Sequence, residues 1–228
     1  MECYPSKVKL LGLLALTCAM VGVSYFCTTL AGLLPQVHDD CDGRSREKLR
    51  RVILDLQDTL SSLERCRKPV LAAIHGHCMG GGTEISLACR YRVASNDGST
   101  RIGLPEVMLG IFPGWGGMLR LPKRVGPAAA LDMMLTGKAI DAKRAKKMGL
   151  ADDCVPPRVM EIAARQLLLS GPPRRPLPFM QRLLNGPLKS VVANGARKQV
   201  AKKARPEHYP APYAIIDLWA KHDGNALA

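Results

Sequence analysis

An α/β fold is predicted, and three observations predict it. Apolar residues make up 47% of the 228-residue chain and aromatics only 4%, so the core must be built of aliphatic and alanine side chains, as in layered α/β proteins. A short continuous apolar run at residues 70–74, of the kind expected of a parallel strand buried on both faces, leads through a run of glycines into a helical pattern. From residue 115 onward helical periodicities dominate, broken only by short strand-like pieces. The length favours one medium domain, or one domain with an appendage. Composition divides the chain into a hydrophobic N-terminal segment with its linker (1–46), an α/β core (47–170), and a proline-rich spacer with a helical and linker region (171–228).

The N-terminal segment stands apart from the rest. Residues 10–34 carry no charge and are long enough to cross a bilayer at about 1.5 Å per helical residue. Lys7 and Lys9 precede the run, and Asp39, Asp40 and Asp42 follow it, which would keep the N-terminus of a spanning helix cytoplasmic. A membrane-spanning helix is the expectation here, ahead of a buried helix close-packed at Gly12, Gly22 and Gly32. A cleaved signal peptide fits less well, because no small-x-small site closes the run.

After a polar linker at 35–46, Leu49, Val52, Ile53, Leu56, Leu60 and Leu63 recur at three- and four-residue steps. Arg50, Arg51, Asp55, Asp58 and Glu64 occupy the other face, so an amphipathic helix is predicted. Strands are predicted at 70–74 and 91–94, and between them a helix carried by Ile85, Leu87, Ala88 and Cys89. A loop through Asn96, Asp97 and Gly98 then leads to a Pro105-Glu106 turn. Helices are predicted at 115–121, 128–135, 142–148, 158–169 and 189–203, with a short strand at 153–155 and a proline-rich spacer at 172–178.

The formal net charge is +14, which favours anionic partners. Lys and Arg are spread over amphipathic helical faces, densest in the C-terminal third, without aromatic interleaving. Solvated helix faces rank first, a polyphosphate-bearing ligand second and nucleic acid a distant third, so no nucleic-acid partner is expected. Eight cysteines, at positions 3, 18, 27, 41, 66, 78, 89 and 154, form no C-x-x-C pair and read as small buried hydrophobes in a reducing compartment. His75, His77 and Cys78 have no third and fourth ligand nearby in the pattern. No metal site is expected, and the histidines read as lining or capping a pocket.

Two glutamates are the candidates for chemistry. Glu84 ends Gly80-Gly81-Gly82-Thr83-Glu84, where glycines follow a strand and open a helix. Such a turn admits positive φ, lets a ligand approach the backbone, and leaves helix N-terminal amides free to hold a carbonyl oxygen that gains charge. No G-x-G-x-x-G fingerprint or P-loop lysine accompanies it, which disfavours nucleotide phosphates. Glu106 ends the stiff turn Gly103-Leu104-Pro105-Glu106. Taken singly, each carboxylate reads as an ordinary helix-start residue. A second glycine-lined turn, with Pro113, Gly114, Gly116 and Gly117, follows at once and changes that reading.

With these pieces in order, the chain resembles the crotonase family, the enoyl-CoA hydratases and isomerases. The matching text is Lys68-Pro-Val-Leu-Ala-Ala-Ile-His-Gly76, Gly80-Gly-Gly-Thr-Glu84, Gly103-Leu-Pro-Glu106, Pro113-Gly-Trp-Gly-Gly117, Arg120-Leu-Pro122, Leu135-Thr-Gly137 and Met148-Gly-Leu150. The spacing between the glutamates and the tail at 203–217 are most similar to the hydratase branch of the multifunctional fatty-acid oxidation enzymes, and the resemblance runs over roughly 47–223. It implies a partial crotonase-like (ClpP/crotonase) ββα spiral with C-terminal helices, with 47–170 as an incomplete catalytic core. It also implies hydration, and double-bond isomerisation, of a trans-2-enoyl-CoA. Glu84 would be the base toward water, Glu106 the acid that protonates the α-carbon, and the Gly81 amide one oxyanion donor. Gly80, Gly82, Pro113, Gly114, Gly116 and Gly117 would line the substrate. No cofactor is implied beyond the CoA thioester itself, whose phosphates Lys138, Lys143 and Lys147 could meet.

The family places a second oxyanion amide in a Phe-x-x-Gly-Ala-Asp-like segment upstream, and residues 1–46 hold no counterpart. A fragment, or a gene with a replaced 5′ portion, is therefore expected. The alternative function is an impaired remnant that binds acyl-CoA or a partner subunit. CoA chemistry implies a cytoplasmic location, which recasts 10–34 as an inverted anchor or a non-native N-terminus, with membrane association only through that segment. A homotrimer or a β-oxidation complex is the assembly the resemblance implies.

Overall fold

The computed structural model describes residues 43–173 and 175–224. The expected hydrophobic helix at 10–34 and the cysteines at 3, 18, 27 and 41 lie outside the described residues. Among the described residues no helix is long and apolar enough to cross a membrane.

Helix α1 (Gly43–Glu64) opens the described chain. Its Leu60 is buried and Ile53, Leu56 and Leu63 are half-buried, as the periodicity requires, whereas Val52 on the same predicted stripe is exposed. Two consecutive units follow, each giving one strand to each of two small parallel sheets. Strand β1 (Leu71–Ile74), strand β2 (His77–Met79) and helix α2 (Gly81–Ala88) form the first. Strands β3 (Tyr91–Ser95) and β4 (Arg101–Gly103) begin the second, which continues into a 3-10 turn (Glu106–Leu109) and helix α3 (Gly117–Val125).

One sheet has the order β1-β3-β5, with β5 at Asp153–Val155, and the other pairs β2 with β4. Leu71 pairs with Tyr91 and Ile74 with Ala94, so that β3, buried at every position, is the central strand. In the second sheet His77 pairs with Arg101 and Met79 with Gly103. Because β2 and β4 are parallel and in register, their carboxyl ends fall side by side, and both candidate glutamates lie just beyond those ends. That is where ligands bind in open parallel sheets.

The remaining helices are α4 (Pro127–Thr136), α5 (Ala142–Met148), α6 (Met160–Ser170), α7 (Phe179–Leu184), α8 (Lys189–Ala201) and α9 (Pro210–His222). Ala193, Ile215, Ile216 and Trp219 from the last two join the same core as Leu87, Ile102, Leu104, Met118, Leu121 and Met134. Arg92 is fully buried in the centre of β3, where its side chain donates to the carbonyls of Leu150, Ser86 and Cys89 and pairs with Asp152 at 3.1 Å. It thereby satisfies the C-terminal carbonyls of α2 that no further turn of helix reaches. The Tyr91 hydroxyl donates to the Pro172 carbonyl at 2.7 Å and ties the start of the spacer to the sheet.

Several expectations are corrected. Strands β2 and β4 replace what reads in sequence as a strand end and a loop. Helix α3 starts at Gly117 rather than 115, because Gly116 has φ 105° and the chain before it turns its amides elsewhere. Helix α9 occupies the proline-bearing tail: Pro210 sits in the first turn, where its missing N–H costs nothing. Cys78 and Cys89 are buried as expected, but Cys66 is exposed. His75 and His77 are both exposed.

Candidate active site

The site grows from the ends of β2 and β4. Met79 pairs with Gly103, and the Gly80 amide continues the ladder by donating to the Gly103 carbonyl at 2.9 Å. Thr83 pins the turn from below, its hydroxyl reaching the Cys78 carbonyl (2.6 Å) and the Gly103 carbonyl (2.9 Å). Gly80 has φ 56° and ψ −126°, a conformation open to glycine alone, and a Cβ there would lie 3.1 Å from Glu106 Oε1. The first glycine of the motif is thus both the hinge into α2 and the surface against which the second carboxylate rests. Gly81 and Gly82 begin α2, so their amides have no acceptor within the helix. The Trp115 ring closes over Gly81: a Cβ there would stand 2.5 Å from Cζ3. Gly82 meets only Cys78 Sγ, at 3.8 Å from the same constructed position.

Glu84 and Glu106 are 2% and 3% exposed, yet they are served very differently. Glu84 Oε1 accepts from the Trp115 amide at 2.9 Å and from the Gly117 amide at 2.7 Å. Neither oxygen of Glu106 has a hydrogen-bond partner among the described residues. Burial pushes Glu84 up to about 7, against the opposing pull of the Gly117 and Trp115 amides and the Arg120 charge. Burial, followed by the negative charge of Glu84, pushes Glu106 up to about 8, against a smaller pull from its own backbone amide, which lies beyond hydrogen-bond geometry. One carboxyl is thus held closer to its ionised form, and its neighbour is kept protonated longer.

The second glycine-lined turn serves Glu84. Gly117 supplies an amide, and a Cβ there would come within 2.9 Å of Glu84 Oε1 and 3.1 Å of Pro113 Cβ. At Gly116 a Cβ would lie 2.0 Å from Arg120 Nη1. The Gly114 carbonyl accepts from Gln57 Nε2 at 2.6 Å. Gly117 therefore packs directly against the carboxylate, and Gly114 and Gly116 belong to the turn that brings the Trp115 and Gly117 amides to it. Lys138, Lys143 and Lys147 are exposed on the outer surface.

Two buried carboxyls lie beyond the ends of parallel strands, one gripped by amides and one ungripped, with helix-start amides alongside, an arrangement that has the groups an acid–base pair beside an electrophilic cradle would need. Residues 39–173 match the family described as Enoyl-CoA hydratase/isomerase. The chain belongs to that family. It is 48% identical over 163 residues to the fatty acid oxidation complex subunit alpha of Shewanella putrefaciens strain CN-32, and to that of Shewanella baltica strain OS155. These matches cover 69% of this chain but only 23% of each relative, so the chain spans about a quarter of their length. Among solved structures, an enoyl-CoA hydratase from Bacillus anthracis is similar with a TM-score of 0.51 at 32% identity, covering 63% of this chain and 64% of that one. Pseudomonas aeruginosa DspI is similar with a TM-score of 0.52 at 30% identity, covering 75% of this chain and 66% of that one. The crotonase-like architecture is thus shared with the enoyl-CoA hydratases and isomerases.

Trp115, Arg120 and Gln57 were not singled out by sequence reasoning as site residues, although two of them fall inside matched motifs. For Arg120 a signal existed: it is a cation flanked by Met118, Leu119, Leu121 and Pro122, of which Met118, Leu121 and Pro122 are buried. Nothing in the side-chain identity of Trp115 announces that its main-chain amide serves a carboxylate.

Proposed function

We propose that the chain catalyses addition of water to a trans-2-enoyl-CoA. Glu84 takes a proton from water as its oxygen bonds to the β-carbon, Glu106 delivers a proton to the α-carbon, and the Gly81 amide receives the charge that builds on the thioester oxygen. Dehydration runs the same steps in reverse, with the two roles exchanged. The observation that carries this reading is the asymmetry of the pair: Glu84 holds two amide donors, and Glu106, equally buried, holds none. A general base must be ionised and a general acid protonated at the same pH, and that asymmetry favours this division. The loss of one oxyanion donor typically costs about 3 kcal/mol of barrier, which is the weight assigned to the Gly81 amide.

The relatives are named for a fatty acid oxidation complex, which supports fatty-acid oxidation as the setting; β-oxidation in the cytoplasm and assembly into such a complex or a trimer are proposed with it. The exposed lysines of α5 and the preceding turn suit the CoA phosphates. The thioester itself is the reacting group, and no further cofactor is proposed.

Hydration of crotonyl-CoA, followed by loss of the conjugated-thioester absorbance, tests this reading. Turnover by the unmutated chain that is abolished in Glu84→Ala and in Glu106→Ala is the expected result. An unmutated protein that binds CoA without turnover would instead establish the alternative, a remnant that retains acyl-CoA binding. A 3-enoyl-CoA offered in parallel reports whether the same pair also moves the double bond.

A further inference from the structure

Helix α1 turns three polar side chains, Gln57, Ser61 and Glu64, toward the turn that precedes α3. Their spacing places them on one helix face. Gln57 Nε2 donates to the Gly114 carbonyl at 2.6 Å. Arg120, 5% exposed, reaches back from α3 and donates through Nε to Glu64 Oε2 (2.9 Å), through Nη2 to Ser61 Oγ (3.3 Å) and through Nη1 to the Trp115 carbonyl (3.2 Å).

A peptide group is planar, with its carbonyl and N–H pointing in opposite directions, so fixing one fixes the other. The Gly114 carbonyl held by Gln57 shares its plane with the Trp115 amide, which donates to Glu84. The Gly116 carbonyl shares its plane with the Gly117 amide, the second donor to Glu84, and it accepts from the Arg120 main-chain amide at 3.0 Å. Between them, the Trp115 carbonyl is the one that the Arg120 guanidinium holds. Three successive peptide planes are therefore locked from behind, and the outer two present their N–H groups to the same carboxylate oxygen. An amide whose carbonyl already accepts a hydrogen bond is also the more polarised donor.

We infer that Gln57 and Arg120 are positioning residues: through the peptide planes at 114–117 they aim the Trp115 and Gly117 amides at Glu84 and so set its readiness to act as the base. The inference rests on the hydration reading for its kinetic consequence, but its structural consequence is readable without turnover. The charged groups facing Glu84 are Glu106 and Arg120, with Glu64 behind the latter. All three are untouched in Gln57→Leu, and in Arg120→Lys the charge is kept while the forked geometry is lost.

The test is the titration of the Glu84 carboxyl, followed by carbon NMR and assigned by its disappearance in Glu84→Gln. In Gln57→Leu and in Arg120→Lys the midpoint should rise by about half a unit or more as the amides lose their aim. The accompanying fall in kcat at neutral pH should be about twofold or more, as the ionised fraction of Glu84 drops, with KM unchanged. A residue that merely supports the fold would lower thermal stability and leave the midpoint where it was. An unchanged midpoint in folded Gln57→Leu overturns the inference, whatever happens to activity. If Arg120→Lys does not fold, Gln57→Leu, altered at a half-buried position, decides alone. An unmutated chain that turns over no enoyl-CoA defeats the hydration reading, while the titration still decides the positioning role.

Discussion

Replacing Glu106 with glutamine should stabilise the protein in a way that grows with pH. The folded chain holds this carboxyl at about 8 against an ordinary value of 4.5, so folding takes up a proton wherever the pH lies between those two values. A group raised in the folded state contributes its full stability below the unfolded value and loses it as pH rises through the folded one. Stability must therefore decline from about pH 4.5 to about 8 and level off above. At roughly 1.4 kcal/mol per unit, the whole displacement corresponds to about 5 kcal/mol; part of it is repulsion shared with Glu84, so about 3–5 kcal/mol is expected from removing this one charge. Glutamine keeps the shape and cannot ionise. Its amide, like the carboxyl, will lack partners among the described residues, but that cost is the same at every pH and cancels in the comparison.

The assay is denaturant unfolding of the unmutated chain and Glu106→Gln at pH 5 and at pH 9. The two should lie close together at the lower pH and separate by the amount above at the higher one. In thermal terms this corresponds to about 6–20 °C for a chain of this size. A stability difference that stays constant between the two conditions, within about 0.5 kcal/mol, would refute the claim that Glu106 is buried without compensation.

Hydration should follow a bell-shaped pH profile, its lower limb set by ionisation of Glu84 at about 7 and its upper limb by loss of the Glu106 proton at about 8. Measured kcat/KM values that rise steadily across pH 6–9 would contradict the assignment of base and acid. Gly117→Ala places a methyl group 2.9 Å from Glu84 Oε1, so it should cost about 1–3 kcal/mol of stability and displace the carboxylate. Wild-type turnover in that variant would count against the Gly117 amide as a support for catalysis, and circular dichroism would check that the fold is kept.

The parts of this molecule that sequence could reveal are those in which residue identity itself carries the constraint. Glycines at 80 and 116 are legible because positive φ excludes other residues, and Glu84 and Glu106 because a carboxylate beside such a turn is chemically distinctive. The aliphatic repeats mark α4, α5 and α8 nearly to the residue. Strands β2 and β4 escape notice for a physical reason: at three residues each they are too short to express an alternation, and His77 and Arg101 at their exposed starts read as loop residues. The donors to Glu84 are illegible in another way. They are main-chain amides, present at every residue but proline, and only the path of the turn makes two of them converge. Gln57 lies far from Gly114 in sequence, so no local pattern could join them.

The difference between the two glutamates therefore lies in the backbone around them. Both are buried to nearly the same degree, so burial alone would raise both and distinguish neither. The distinction arises because the chain between Glu106 and α3 folds back toward α2, bringing the Trp115 and Gly117 amides to Glu84 and none to Glu106. Had that turn been free to relax, its amides would find water, and Glu84 would lose the support that keeps its folded value near neutrality. The site then depends on whatever prevents that relaxation, namely the polar face of α1 and the guanidinium of Arg120. Under the proposed reading, helix α1 thereby bears on which of the two glutamates is the base.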